Sequence, residues 1–294
     1  MNAPDVQSMP SSKQFIINRV GVTGVTKPIR VRRNGREIDL TASIDVYVDL
    51  PAEYRGSHMS RNVEIVNEIV DESVREPVSG VEDLAMKISW RLLDRHEYAT
   101  VAETQISSTY FREQTTPEGR KTLEPYRIIA GGKAVRGGMG WKSIGVEVVG
   151  MNACPCAMET VRAMLKKKYP DLENCLDRIP IVTHNQRNVT SLCLRVPESV
   201  FIEADDLIDI VEDAMSTPTY EILKREDEGR VVLEAHLNPK FVEDIVRDVL
   251  GEIVEKYRDL PDDVVVSVRS ESEESIHKHN AMAERVTTLG TLRE

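Results

Sequence analysis

Cys154 and Cys156 flank a proline in "NACPCAM", where a β-branched run, "VEVVG", gives way to a helix-like pattern. Two cysteines at that spacing fit a redox pair, a metal site, or two small buried side chains. The redox signature has two residues between its cysteines, and here there is one. A structural zinc site wants four protein ligands, commonly two cysteine pairs. The other cysteines, Cys175 and Cys193, form no such pair, and Cys193 in "TSLCLRV" reads as a buried strand residue. A catalytic metal site, with three protein ligands and one open position, suits the pattern better.

The chain has six histidines. His184, in "VTHNQRNVTS", stands just before a strand pattern, and His277 and His279, in "SEESIHKHNA", stand just after one. His58, in "GSHMSR", precedes a helix pattern, and His236 follows Glu234 by two residues in "LEAHLNP". Taken singly, each reads as an ordinary surface or core histidine. Beside the C-P-C corner and its carboxylates they complete the ligand set of a borderline metal such as Zn²⁺ or Fe²⁺. "GGKAVRGGMG" lacks the G-x-x-x-x-G-K-[ST] arrangement of a phosphate loop and reads as a flexible turn between strands. No G-x-S-x-G nucleophile elbow is present.

These residues need elements to hold them. "TASIDVYVDL" alternates, with Ile44, Val46 and Val48 on one strand face. Val66, Ile69, Val70 and Val74 then recur at helical spacing, as do Val81, Leu84, Ala85, Ile88 and Leu92. Extended segments near 98–111 and 123–135 follow, separated by the polar turn "EQTTPEGRKT". The second half repeats this order without repeating the sequence: "SIGVEVVG" and "RNVTSLCLRV" as strands, "EADDLIDIVEDAMS" as a helix, and a longer helix with a Phe241, Ile245, Val249, Ile253 and Tyr257 seam, before the strand "DDVVVSVRS". A helix opens behind Cys156, and 171–186 reads as an irregular insertion. The expected fold class is α+β, antiparallel sheets with helices on one face. The expected division is a disordered lead-in at 1–12 and modules at 13–136 and 137–294, the second carrying most metal and catalytic residues.

A net charge of −11 over 294 residues argues against a nucleic-acid or membrane-surface partner, while leaving room for a local basic pocket. No apolar stretch is long enough to span a bilayer, and the N-terminus does not read as a signal peptide. With four cysteines, this predicts a reducing, cytoplasmic setting and no disulfide framework.

"CPCA", "THNQR", "PTYEILKREDE", "VLEAHLNPKFVEDIVR" and "SEESIHKHNA", in that order, resemble the type IB GTP cyclohydrolases, metal-dependent members of the tunnelling-fold superfamily. With "GSHMSR", the resemblance runs from about residue 58 to about 281. It implies a duplicated ββααββ unit whose sheets pair between subunits into a barrel. It further implies a homo-oligomer, a tetramer of two stacked barrels, with active sites at subunit interfaces. It implies one divalent metal per subunit, Fe²⁺ first and Zn²⁺ or Mn²⁺ as alternatives, held by Cys154, His184 and Glu221, with Glu234 as a further ligand or proton carrier. His277 is the implied proton-transfer residue, and Glu274 the implied anchor of the guanine edge. Arg61, Arg187, Lys224, Arg225 and Lys278 are candidate cations for the triphosphate, and His58 and His279 further substrate-binding candidates. Cys156 carries no assigned role.

The implied reaction adds water to C8 of the guanine of GTP, opens the imidazole ring and expels formate. The long link "AMETVRAMLKKKYPDLENCLDRIPIVT" between the cysteine motif and H-N-Q-R is similar to archaeal members, which feed methanopterin synthesis. Those are implied to release 7,8-dihydroneopterin 2′,3′-cyclic phosphate, whereas bacterial members release the triphosphate for folate pathways. Two rivals stand beside this reading: another tunnelling-fold enzyme acting on a purine or pterin, and a non-catalytic metal- or nucleotide-binding protein.

Overall fold

The computed structural model of the chain describes residues 5–33 and 36–294. Its elements run β1 (Ile17–Arg33), β2 (Arg36–Leu50), α1 (Met59–Arg75), α2 (Val81–Arg95), β3 (Val101–Thr115) and β4 (Lys121–Val135). They continue with β5 (Trp141–Ala153), α3 (Pro155–Lys168), α4 (Glu173–Leu176), β6 (Asn185–Pro197), α5 (Ala204–Ala214) and β7 (Thr217–Pro218). The last are α6 (Arg225–Leu237), α7 (Val242–Lys256), β8 (Val265–Ser272), β9 (Ala281–Thr288) and α8 (Leu289–Arg293). The order β1, β2, α1, α2, β3, β4 recurs as β5, β6, α5, α7, β8, β9, with α3, α4, β7 and α6 inserted.

Contacts divide the chain into two compact units, one of residues 1–110, 127–144 and 195–202 and the other of residues 111–126, 145–194 and 203–294. The compact units do not break at residue 136: β3, β4, β5 and β6 each contribute residues to both. Residues 1–4 of the expected lead-in lie outside the described residues. Further along it, Pro10 bridges Tyr54, and Gln7 O accepts from Arg55 N and Gly56 N at 3.2 Å.

In the first unit the strand order is β1-β2-β3-β4, with β1–β2 and β2–β3 antiparallel. Alternation puts Ala42, Ile44, Val46 and Val48 on the buried side of β2, where Ile65, Ile69, Leu84, Ile88 and Leu92 supply the helical face of the core. Val74, expected on the α1 stripe, is exposed; one residue earlier Ser73 is buried, because the stripe follows positions 62, 65, 66, 69, 70 and 73. A Cβ at Gly132 would stand 2.6 Å from the Ala85 carbonyl, so α2 lies directly on β4 there and only glycine fits. Gly137, at φ 71°, makes the turn after β4 within the glycine-rich stretch.

In the second unit β5-β6-β8-β9 are neighbours, β7 pairs with β5, and β8 and β9 form an antiparallel hairpin. Leu207, Ile208 and Val211 of α5, Ile245, Val249 and Ile253 of α7, and Val266 and Val268 of β8 are buried. Phe241, expected in the α7 seam, is exposed because it is the N-cap, outside the helical period. The 171–186 insertion is irregular apart from a 3₁₀ turn at 170–172, α4, and its last two residues, which already belong to β6. It has its own small core: Met158, Leu176 and Ile181, with Val161 and Leu165 packed on them. Among the described residues no helix is long and apolar enough to cross a membrane.

Candidate functional site

The site residues of the second unit gather where β5 gives way to α3. Cys154 is the N-cap of α3 and Pro155 opens it, a position where proline's missing N–H costs nothing. Cys154 Sγ accepts from Ala157 N at 3.5 Å. Its backbone N donates to His184 O at 3.1 Å, and its carbonyl accepts from Thr183 Oγ1 at 2.7 Å. The inserted helices therefore loop out and return, and their private core lets the chain re-enter beside its starting point.

His184 stands immediately before β6, and Gln186 lies buried within the strand. His184 Nδ1 is 2.8 Å from Gln186 Oε1, an amide oxygen that can only accept, so Nδ1–H donates to it and Nε2 is the ring nitrogen left for a ligand. Gln186 Nε2 donates to Glu274 Oε1 at 3.4 Å, and Glu274 Oε2 is 3.6 Å from His184 Nδ1. The His184 and Glu274 side chains are each 11% exposed. Glu274 Oε2 is itself buried and has no hydrogen-bond partner.

Glu273 N donates to Arg187 O at 2.9 Å, carrying the ladder past the end of β8 and setting the direction of the 273–280 loop. The His277 ring lies edge-on to His184 at 6.5 Å and stacks on His279 at 5.1 Å. Cys154, His184, Glu274, His277 and His279 are thus brought together. Gln186 joins them without having been assigned a role from sequence, although the H-N-Q-R motif contains it.

The carboxylates expected at a metal are less enclosed. Glu221 is exposed on the loop between β7 and α6, and Glu234 is exposed on α6. That loop is fastened to β5, the strand that leads into Cys154: Gly150 and Met151 pair with Pro218 and Thr217, and Thr219 Oγ1 donates to Val149 O at 3.0 Å. Burial pushes up the Tyr220 phenol, and the nearby charges of Glu212, Glu234, Glu124 and Asp227 push it further, so residue 220 sits in a negative field. Lys224, Arg225, Arg187 and Lys278 are exposed. His236 Nδ1 is 2.7 Å from Val232 O, and its Nε2 is 3.4 Å from Thr183 O.

A divalent metal fits these donors in kind. A free thiol at Cys154 and an imidazole whose far nitrogen is held by Gln186 match the pattern in which an outer partner fixes a ligating histidine. In number the fit is incomplete: among the described residues, no three His, Cys, Asp or Glu side chains stand close enough together to hold a metal ion.

In the first unit, His58 caps α1, with Nε2 3.2 Å from both oxygens of Asp5 and a buried, unpartnered Nδ1. Arg61 donates to Arg95 O at 3.4 Å. His96, 0% exposed, has Nε2 2.7 Å from Asn62 Oδ1 and Nδ1 3.0 Å from the Tyr98 hydroxyl. Burial, then the charges of Arg61 and His58, pushes its imidazole down to about 4.

The family model described as type I GTP cyclohydrolase folE2 matches residues 3–283. GTP cyclohydrolase MptA of Methanosphaera stadtmanae is 44% identical over 303 residues, covering 99% of this chain and 97% of that protein. GTP cyclohydrolase MptA of Methanothermobacter thermautotrophicus is 43% identical, covering 99% of this chain and 95% of that protein. Among solved structures, uricase from Arthrobacter globiformis aligns with a TM-score of 0.53 over 92% of this chain and 93% of its own, at 8% identity. That likeness concerns the fold, which is the tunnelling fold.

Proposed function

Since the chain belongs to the type I GTP cyclohydrolase folE2 family, we propose that it opens the guanine imidazole ring of GTP at C8, releases formate, and serves methanopterin biosynthesis with 7,8-dihydroneopterin 2′,3′-cyclic phosphate as its product. The observation that carries the reading is Glu274 Oε2, buried and without a hydrogen bond, beside His184, Gln186 and His277. A buried acceptor without a donor costs free energy that a ligand with N–H groups returns. The pyrimidine edge of guanine carries adjacent N–H donors that adenine does not present in the same arrangement. A carboxylate here therefore discriminates between the two bases. Support for the archaeal type comes from full-length similarity to the two methanogen proteins and from the inserted α3–α4 segment.

Cys154, His184 and Glu221 would hold one divalent ion, Fe²⁺ first, with Glu234 next to it. Bound there, the ion would acidify the water that attacks C8, from a pKa of about 16 toward about 7. Everything else falls to the chain. Gln186 keeps the His184 Nε2 lone pair turned outward and ties His184 to Glu274. Glu274 orients the base. His277, exposed and stacked on His279, exchanges a proton with the purine nitrogen as the ring opens. Glu234 takes the proton released by the water. Arg187, Lys224, Arg225 and Lys278 neutralise the phosphates. Glu221, exposed on the β7–α6 loop, would supply the third ligand by turning toward Cys154 and His184.

We read the working molecule as a homo-oligomer, a tetramer with sites at subunit interfaces. The apolar, exposed Val232, Leu233 and Leu237 of α6 support this, since such a helix face is stable when a second copy covers it. The test is anaerobic reconstitution with Fe²⁺, incubation with GTP, and measurement of formate, the pterin chromophore and product mass. Formate with a cyclic phosphate and pyrophosphate is the expected outcome. Formate with the triphosphate retained would move the protein to the folate-type product, and absence of formate would remove the cyclohydrolase reading.

A further inference from the structure

We propose that Glu124 is a positioning residue for Glu221, and that the β3–β4 hairpin end acts as a clamp on the loop carrying it. Both oxygens of Glu124 lie 3.0 Å from Glu221 N. Glu124 is only 6% exposed, whereas Glu221 is exposed. A buried carboxylate thus receives the backbone N–H of the very residue whose side chain stays free to move. That is the arrangement needed to fix where a ligand leaves the chain without using up its carboxylate.

The same hairpin grips the loop again at its far end. Asp227, 0% exposed, accepts from Lys224 N at 3.2 Å and from Glu118 N at 3.0 Å. Glu118 also pairs with Arg230. The near end is tied to β5 through Thr217, Pro218 and Thr219. Three fastenings over so short a loop leave residue 221 little backbone freedom, and the middle one is Glu124.

This inference rests on Glu221 being the third metal ligand, so its test separates the two. Metal-free, full-length parent and the variants Glu124→Gln, Glu124→Asp, Glu124→Ala and Glu221→Gln are titrated with Mn²⁺. Exchange of the Glu221 amide hydrogen is followed in the metal-free proteins. Glutamine keeps an acceptor at the same reach without the charge; aspartate keeps the charge and loses the reach. If Glu124 acts by position, Mn²⁺ affinity falls about threefold in Glu124→Gln and about tenfold in Glu124→Asp. It falls by about ten- to a hundredfold in Glu124→Ala, the range for loss of an outer partner. Turnover number falls in the same order while KM for GTP moves less than about twofold, and the Glu221 amide exchanges faster in the aspartate and alanine variants. Tighter Mn²⁺ binding by Glu124→Asp than by Glu124→Gln would overturn the proposal, because charge would then be the operative property. Parental affinity in Glu124→Ala, alongside loss in Glu221→Gln, would overturn it while leaving the ligand reading intact. Parental affinity in Glu221→Gln would overturn the ligand reading, and unchanged amide exchange in the Glu124 variants would overturn the clamp as well.

Discussion

Gln186 Oε1 lies 2.8 Å from His184 Nδ1, and Gln186 Nε2 lies 3.4 Å from Glu274 Oε1, so one buried amide joins the expected metal ligand to the expected base anchor. The amide is polar in the required sense at both ends: its oxygen faces the ring N–H and its nitrogen faces the carboxylate. Rotating it by half a turn would put N–H against N–H and oxygen against oxygen.

It follows that Gln186→Leu, similar in size but without donor or acceptor, lowers metal affinity about ten- to a hundredfold and weakens GTP binding as well. Titrations with metal and with GTP check the two effects separately. A variant that loses only one of them breaks the link between His184 and Glu274.

Cys154→Ala is expected to abolish turnover and weaken metal retention while leaving the fold largely intact, because the Cys154 backbone, not its thiol, makes the bonds to His184 and Thr183. Cys156, exposed in the first turn of α3, is the internal control and its alanine variant is milder. Metal content and melting temperature of both variants are the measurements. Full occupancy in Cys154→Ala would end its assignment as a ligand. A thiolate on Fe²⁺ also predicts activity after anaerobic loading that declines in air. Equal, air-stable activity with Zn²⁺ would remove the preference for iron.

Helices α1, α2 and α7 and strand β2 are legible in the sequence because each buries one face and repeats at its own period. β1 is not, since Gly21, Gly24 and Pro28 interrupt its alternation and its pairing with β2 shifts register between 17 and 20 and between 22 and 25. α6 is hidden for another reason: Val231, Val232 and Leu233 are contiguous, and only Val231 of the three is buried. β9 is short and half exposed. At the site, Cys154, His184, Glu274 and His277 sit in short contiguous motifs and can be read directly. The partners that hold them cannot: Gln186 reaches Glu274 across 88 residues and Glu124 reaches Glu221 across 97, distances that leave no local pattern.

His96 gives the first unit a pH dependence. Burial, followed by the charges of Arg61 and His58, holds its imidazole near 4, against about 6.5 for the unfolded chain. Above pH 6.5 both states are neutral and the group contributes nothing. As pH falls from about 6.5 to about 4 the unfolded state takes up a proton that the folded state refuses. Stability is lost over that window, by up to about 3 kcal/mol. His96→Gln removes the titration, so the stability difference between parent and variant narrows as pH falls from 6.5 to 4.5. Denaturant unfolding at several pH values checks it, and a constant difference would contradict the assignment.

Glu274 and His277 separate recognition from chemistry. Glu274 Oε2 is buried and without a hydrogen bond, while His277 is exposed on the same loop. If Glu274 receives the guanine N–H groups, Glu274→Gln keeps the shape but turns an N–H donor toward the donors of the base. Loss of a charge-assisted pair in an enclosed site costs about 2–4 kcal/mol, roughly thirty- to a thousandfold in kcat/KM. Because the contact exists before any bond changes, the loss appears in GTP binding itself. His277→Ala behaves in the opposite way: GTP still binds, since no ground-state anchor is removed, and the single-turnover rate collapses because the proton has no carrier. Calorimetric GTP binding beside single-turnover rates on both variants distinguishes the roles. Were Glu274→Gln to bind GTP as tightly as the parent, the anchor would lie elsewhere. Glu273 would be the first to test, since its backbone N–H is already committed to Arg187 O and its exposed side chain stands one residue away.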